Sequence, residues 1–377
     1  MKVLIIPDKF KGTLTASQAA DAISAGWKQS RPSDEVEVLP MSDGGDGFGE
    51  LISHLIGAVP QTAKTVDAAH RACDALWWWQ AKTNTAIVES ARVIGLAQLP
   101  PGKYHPFELD TEGLGNLLHS AAGKGATRCL IGVGGSATND GGFGMARALG
   151  WQFFDTHDQK IDRWTKLHAL AEIRPPEAAE LFQELIVAVD VRNPLLGPQG
   201  CTRTYGPQKG LKPSDFDFAE RCLQQLADVL RKELHRDCAN EPGAGAAGGL
   251  GFGLRCFVGG RLEPGFALFA EQAGLAERIK SADLVITGEG SLDNSSVMGK
   301  GVGELANLCK HLNVPCIALA GVVPHPEEVA PFFTETHALT PQFARPENAM
   351  ADPAHWLEKL AANIARSVAL PPKSHPS

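Results

Sequence analysis

Asp190 stands at the end of the apolar run ELIVAVD (184–190), and Arg192-Asn193-Pro194 turns the chain straight after it. A carboxylate at the end of a buried strand can take a proton from a hydroxyl or share magnesium with phosphate oxygens. Asp8, Asp43, Asp46, Asp140 and Asp293 have the same placement, at or just after apolar strands and in or beside glycine-rich loops. In open α/β sheets ligands collect outside the carboxyl ends of the strands. A helix cap or turn uses the same residue types, so each acid carries that structural alternative as well.

Four of the loops share one grammar: an apolar run, then glycine with Asp, Ser or Thr, then a helical stretch. They are PMSDGGDG (40–47), GVGGSATNDGG (132–142), PGAGAAGGLGFG (242–253) and TGEGSLDNSSVMGKG (287–301). Glycine is entropically costly in a fold, so this density must serve backbone that approaches something closely. Phosphate is one candidate, because a helix N-terminus offers unpaired N–H groups and partial positive charge. Tight turns between packed elements are the other. Lysines lie where phosphate charge would need them: Lys9 and Lys11 after the first strand, Lys209 in YGPQKG, Lys300 in MGKG. Each can act as a point charge on phosphate, and Arg192 can fork onto a substrate carboxylate.

Familiar fingerprints fit less well. Walker A is absent, since Gly299-Lys300 is followed by Gly301 and Asn294 stands where its first glycine belongs. GVGGSA (132–137) partly matches a dinucleotide fingerprint, with Asp155 about 20 residues on for the ribose. GAGAAG (243–248) follows NEP rather than a strand. No H-E-x-x-H or G-x-S-x-G occurs, which disfavours histidine-bound metal and the common serine-hydrolase layout.

The elements that must position these residues alternate from end to end. KVLII (2–6), VEVLP (36–40), TAIVES (85–90), RCLIGV (128–133), ELIVAVD (184–190), ADLVITG (282–288) and VPCIALAG (314–321) read as strands. Thr15-Ala16-Ser17-Gln18 fits a capping box ahead of a helix, and LISHLIGA (51–58) reads as another. Trp77-Trp78-Trp79 reads as a strand with its outer two rings on one face. The alternation gives an α/β protein with largely parallel sheets, and 377 residues suggest two domains. A net charge of -8 argues against nucleic acid or an anionic membrane as partner. The N-terminal apolar run is too short for a signal peptide, and eight cysteines without a C-x-x-C pair suit reduced thiols. A cytoplasmic protein is expected.

Taken in order, IIPDKFKGTLTASQAADAI, PMSDGGDG, GVGGSATNDGGFGMARALG, VDVRNPLLGPQG, YGPQKG, PGAGAAGGLGFG and ADLVITGEGSLDNSSVMGK resemble the signature blocks of the type I glycerate kinases. The resemblance implies phosphorylation of D-glycerate by ATP with Mg2+, on the 2-hydroxyl. It also implies a Rossmann-like domain from residues 1–75 and 265–377, a second α/β domain (76–264) inserted in it, and glycine loops at the interdomain cleft. Asp190 is then expected to take the proton from the glycerate hydroxyl or to orient it, and Arg192, Lys11 or loop amides near Phe10-Lys11-Gly12 to hold the glycerate carboxylate. The nucleotide is expected on Gly134, Gly135, Ser136, Thr138, Asn139 and Asp140, on Gly243, Gly245, Gly248 and Gly249, and on Lys209 and Lys300. Asp43 and Asp293 are the expected magnesium ligands. Departures from the family pattern stand at Lys9, Phe48, Ser295 and Val302, and in ELDTEGLGN (108–116). They keep a glycerate 3-kinase, or a kinase of a related small hydroxy acid, as the alternative. An NAD-dependent hydroxy-acid dehydrogenase and a non-catalytic metabolite-binding protein are the more remote readings, and a homo-oligomer is left open.

Overall fold

The computed structural model describes residues 1–368 apart from Asp43, Asp46, 178–179 and 298–300. Asp43, Lys300 and the PPKSHPS tail therefore lie outside the described residues. The strands, in chain order, are β1 (Lys2–Pro7), β2 (Glu35–Val38), β3 (Val59–Val66), β4 (Ala72–Gln80), β5 (Thr85–Glu89), β6 (Arg128–Gly132), β7 (Gln152–Asp155), β8 (Leu170–Arg174), β9 (Glu184–Val189), β10 (Arg261–Pro264), β11 (Leu284–Ser291), β12 (Cys316–Val322) and β13 (Glu335–Thr340). Among the described residues no helix is long and apolar enough to cross a membrane.

The chain divides into two compact units, Met1–Ser42 with Phe269–Ser377, and Asp43–Leu268. The second interrupts the first in sequence. Residues 47–75, given to the first domain by the family resemblance, pack with the second unit. β3 pairs with β4 along its length, from Val59 opposite Trp79 to Val66 opposite Ala72, and Phe48 and Ile52 are buried against Trp78 and Ile87.

The first unit holds one sheet in the order β13-β12-β11-β1-β2, parallel throughout. β1 is buried at every position after Lys2, as a parallel strand covered on both faces must be. The capping box forms: Thr15 Oγ1 accepts from Gln18 N at 3.2 Å and Gln18 Oε1 from Thr15 N at 3.0 Å. The helix it starts, Ala16–Ser30, buries Ile23 and Trp27 in one core with Leu357, Leu360 and Ile364 of the helix Pro353–Ser367. Gly26 lets the two approach, since a Cβ there would lie 2.0 Å from Glu358 O.

The second unit holds a sheet in the order β10-β9-β6-β5-β4-β3. Its β10, β9, β6 and β5 pair in parallel, and β5-β4-β3 run antiparallel. β7 and β8 form a separate antiparallel pair. Trp77 and Trp79 face the main core and Trp78 joins Phe48 on the opposite face, as the alternation required. Register sets Glu89 beside Gly132 and Gly132 beside Ala188. The C-terminal ends of β5, β6 and β9 thus lie side by side.

Candidate functional site

Whatever follows those three strands must emerge together, because parallel neighbours end on one edge of the sheet. β5 is followed by Ser90 and the segment 91–105, β6 by Val133-Gly134-Gly135-Ser136, and β9 by Asp190. Residues of all three line a cavity of ≈ 1520 Å³, with Gly44, Gly45, Tyr205, Lys209 and Ala247 completing its wall. Ligand pockets usually run to about 300–1,000 Å³, so this one has room for a nucleotide and a small second substrate.

Lys209 ends the helix Cys201–Lys209, which stops at Gly210 in the left-handed region (φ 108°). Its side chain is turned inwards and only 6% exposed. Nζ donates to Ser136 Oγ at 3.0 Å and to Thr138 O at 2.7 Å. Both acceptors are neutral. Burial pushes the ammonium down to about 8, against the opposing pull of Cys201 and Asp140. A buried cation held by neutral oxygens has lost much of the electrostatic support that water would give it.

Asp190 lies at the exposed end of β9 on the cavity wall. The turn after it is braced. Tyr205 Oη donates to Asn193 Oδ1 at 2.7 Å, and Asn193 Nδ2 donates to Gln199 O at 2.7 Å. Burial, and then the charge of Asp190, push the Tyr205 phenol up, so the ring stays neutral beside the acid. Glu89 is an acid that sequence reasoning missed, since TAIVES carries no signal beyond a strand. It is buried, and its carboxylate accepts from Gly47 N at 3.2 Å, Gly49 N at 3.1 Å and Arg92 Nε at 3.4 Å. It pins the glycine turn before the helix Phe48–Ile56 to the end of β5.

The Glycerate kinase family model matches residues 3–369. The chain belongs to the glycerate kinase family. Glycerate kinase from Halalkalibacterium halodurans is 36% identical over 369 residues, 96% of this chain and 97% of that protein. Glycerate 2-kinase from Escherichia coli K12 is 36% identical over 324 residues, 85% of each chain. The crystal structure of a protein assigned as glycerate kinase 2 in Salmonella typhimurium LT2 superposes with a TM-score of 0.82 at 31% identity, covering 97% of both chains. Membership in the glycerate kinase family carries the enzyme class with it, a phosphotransferase.

Within this glycerate kinase fold several residues of the glycine loops have partners in the protein itself. Asp140 is fully buried and is not part of the cavity lining. Its carboxylate accepts from Thr111 Oγ1 at 2.7 Å, Thr111 N at 3.0 Å, Gly144 N at 2.9 Å and Gly142 N at 3.3 Å. It occupies the N-terminus of the helix Phe143–Ala148, where an anion was expected. Thr138 and Asn139 are buried beside it, and Asn139 Nδ2 donates to Thr202 Oγ1 at 3.0 Å. The glycines of 243–249 allow close backbone packing. A Cβ at Gly248 would lie 1.9 Å from Thr138 O, at Gly245 2.2 Å from Pro194 O, and at Gly249 2.9 Å from Gly141 Cα; at Gly243 it would press on Val189. Of that loop Ala246 and Ala247 reach the cavity, and of the earlier one Gly134, Gly135 and Ser136 do.

Other expected residues stand elsewhere. Arg192 is exposed and outside the cavity lining. Lys11 and Asp293 belong to the first unit. Lys11 is exposed in the turn closed by Leu14 N donating to Phe10 O at 3.0 Å. Asp293 Oδ1 accepts from Ser295 N at 2.8 Å and Ser295 Oγ at 2.6 Å, starting the short helix Asn294–Val297. Phe48 and Val302 are buried apolar contacts, so two of the four departures are core packing. Asp155 sits in an exposed turn, accepting from His157 N and Gln159 N at 2.8 and 2.9 Å. That removes the ribose contact a dinucleotide fingerprint needs.

Proposed function

We propose that the chain transfers the γ-phosphoryl group of ATP to the 2-hydroxyl of D-glycerate, giving 2-phosphoglycerate and ADP. The observation that carries this reading is the buried Lys209 ammonium on Ser136, on the wall of a cavity that Asp190 also lines. Phosphoryl transfer asks a protein chiefly for positioning and charge neutralisation, and this wall supplies both. Lys209 and the backbone of Gly134–Ser136 hold the phosphates. Asp190 accepts the hydroxyl proton as the new O–P bond forms and the bond from the γ-phosphorus to the β,γ-bridging oxygen breaks. Arg192, two residues on in the chain, receives the glycerate carboxylate. Magnesium, which takes carboxylate and phosphate oxygens together, would accompany the nucleotide. The name of the Escherichia coli relative supports the 2-position. All eight cysteines are free thiols, which suits a cytoplasmic enzyme.

The test is ADP release from Mg-ATP with D-glycerate, L-glycerate, other small hydroxy acids and no acceptor, followed by phosphorus NMR. D-Glycerate should give turnover and a phosphate doublet, because the 2-carbon bears one hydrogen. A triplet would mean the 3-phosphate, and no turnover with D-glycerate would overturn the assignment.

A further inference from the structure

The cavity wall is chemically uneven along the sheet edge. At β9 stands the acid Asp190, at β6 the glycine turn with Ser136 and Lys209, and beyond β5 an apolar segment. That segment begins at Gly95, which bridges Ser136. Leu96 N donates to Gly135 O at 2.9 Å and Ala137 N to Ile94 O at 2.8 Å. Apolar segment and anion turn are therefore fastened backbone to backbone.

Leu96 is 39% exposed, although it lines a concave wall. Pro100 and Pro101 are exposed on the same wall, with Leu99 buried. Proline fixes φ, so this face is formed before any ligand arrives. Singly exposed leucines are ordinary, but this one is continuous with two prolines and one residue removed from an anion turn.

Of the two substrates in the reading proposed above, on which this inference rests, glycerate has no apolar face. ATP has one, the base, at the opposite end from its reacting phosphorus. The strand order β9-β6-β5 matches the order acceptor, phosphates, nucleoside. We infer that residues 95–101 form the nucleobase site, with the purine of the phosphoryl donor seated on Leu96, Pro100 and Pro101. Leu96 is then a residue of nucleoside affinity, without part in the chemical step.

The experiment compares Mg-ATP, adenosine and inorganic tripolyphosphate as ligands of the full chain by calorimetry, in wild type, Leu96→Asn and Leu96→Met. Leu96→Asn should weaken ATP and adenosine binding about tenfold, the loss of one buried aliphatic contact of roughly 1.5 kcal/mol. Tripolyphosphate affinity should stay within twofold, and Leu96→Met should behave as wild type. In turnover, KM for ATP should rise while KM for D-glycerate and kcat hold. Unchanged ATP affinity in Leu96→Asn, or an equal fall for tripolyphosphate, would overturn the base site while leaving the kinase reading standing. Wild type that binds neither ATP nor tripolyphosphate would remove both. Photolabelling with 8-azido-ATP gives a readout independent of the variant: wild type should be labelled within 95–104, with protection by ATP. Label confined to other peptides would overturn the inference.

Discussion

Lys209 Nζ reaches Ser136 Oγ at 3.0 Å across 73 residues of sequence, fastening the end of one helix to the turn after β6. Among the described residues no carboxylate forms an ion pair with it. Removing the charge should therefore strike the ligand more than the fold. Lys209→Met keeps the buried stem, and thermal melting should show a native-like transition. A hydrogen bond to a charged group contributes about 1.5–3 kcal/mol, so KM for ATP should rise roughly ten- to one-hundredfold. Lys209→Arg adds bulk to a filled site and should rescue poorly. Wild-type ATP affinity in Lys209→Met would take Lys209 out of the phosphate site.

Titration of the same group gives a pH signature. The folded pKa, about 8, lies below the ordinary value of 10.5, so the unfolded chain binds more protons between these limits and stability gains from Lys209 as pH rises through them. Ligand binding has the opposite slope. Phosphate needs the ammonium, so ATP affinity should fall as pH climbs past 8, up to tenfold per unit. Near pH 8, binding should take up about half a proton, read as a dependence of calorimetric enthalpy on buffer ionisation. Lys209→Met should lose both effects.

The sheet edge was legible in the sequence because parallel strands advertise themselves: KVLII, RCLIGV and ELIVAVD are unbroken apolar runs, and each became a strand. β3 and β13, with Lys64 and His337 inside them, carry too mixed a pattern to stand out. Asp190 and Lys209 could be picked out in the sequence by their places after an apolar run and before a glycine, and both line the cavity. Asp140 was ambiguous for a physical reason: a carboxylate that caps a helix looks in sequence like one that greets a ligand, and only the fold shows Thr111 bound to it. The glycines of 243–249 are ambiguous in the same way, since closeness to phosphate and closeness to backbone demand the same residue. Glu89 could not be found, because its partners Gly47 and Gly49 are backbone N–H groups 40 residues or more away.

Asp140 should matter for folding before it matters for catalysis. Burial, and then the charge of Asp110, raise its carboxyl from 3.8 to about 6, against hydrogen bonds from Gly144 and Thr111. The folded state thus binds more protons between these values, and stability from this group is lost as pH rises through the window, about 3 kcal/mol for two units. Asp140→Asn removes that dependence. The difference in melting temperature between wild type and variant should shift in favour of wild type as pH falls from 7 to 4. A difference constant with pH would show the carboxyl to titrate normally.

Gly248→Ala tests the packing role of the glycine loops. Gly248 has φ 72°, and an added Cβ would lie 1.9 Å from Thr138 O. The left-handed conformation alone costs roughly 1–2 kcal/mol for a residue with a Cβ, and the overlap adds to it because the neighbour is backbone. Chemical denaturation should show a loss above 2 kcal/mol. Gly102→Ala, where φ is 66° and a Cβ would meet nothing within 4 Å, should lose only the conformational part.

Asp190→Asn keeps the shape of the turn and removes the base. Asn193 and Tyr205 hold that turn through contacts that do not involve the carboxylate, so structure and ATP binding should survive. A positioned general base contributes about 10²–10⁴-fold, and kcat should fall by that factor while KM for ATP changes little. A variant retaining more than a third of wild-type kcat would show that another group takes the hydroxyl proton. Glu89, held by Gly47 N, Gly49 N and Arg92, would then be the cavity acid to remove next.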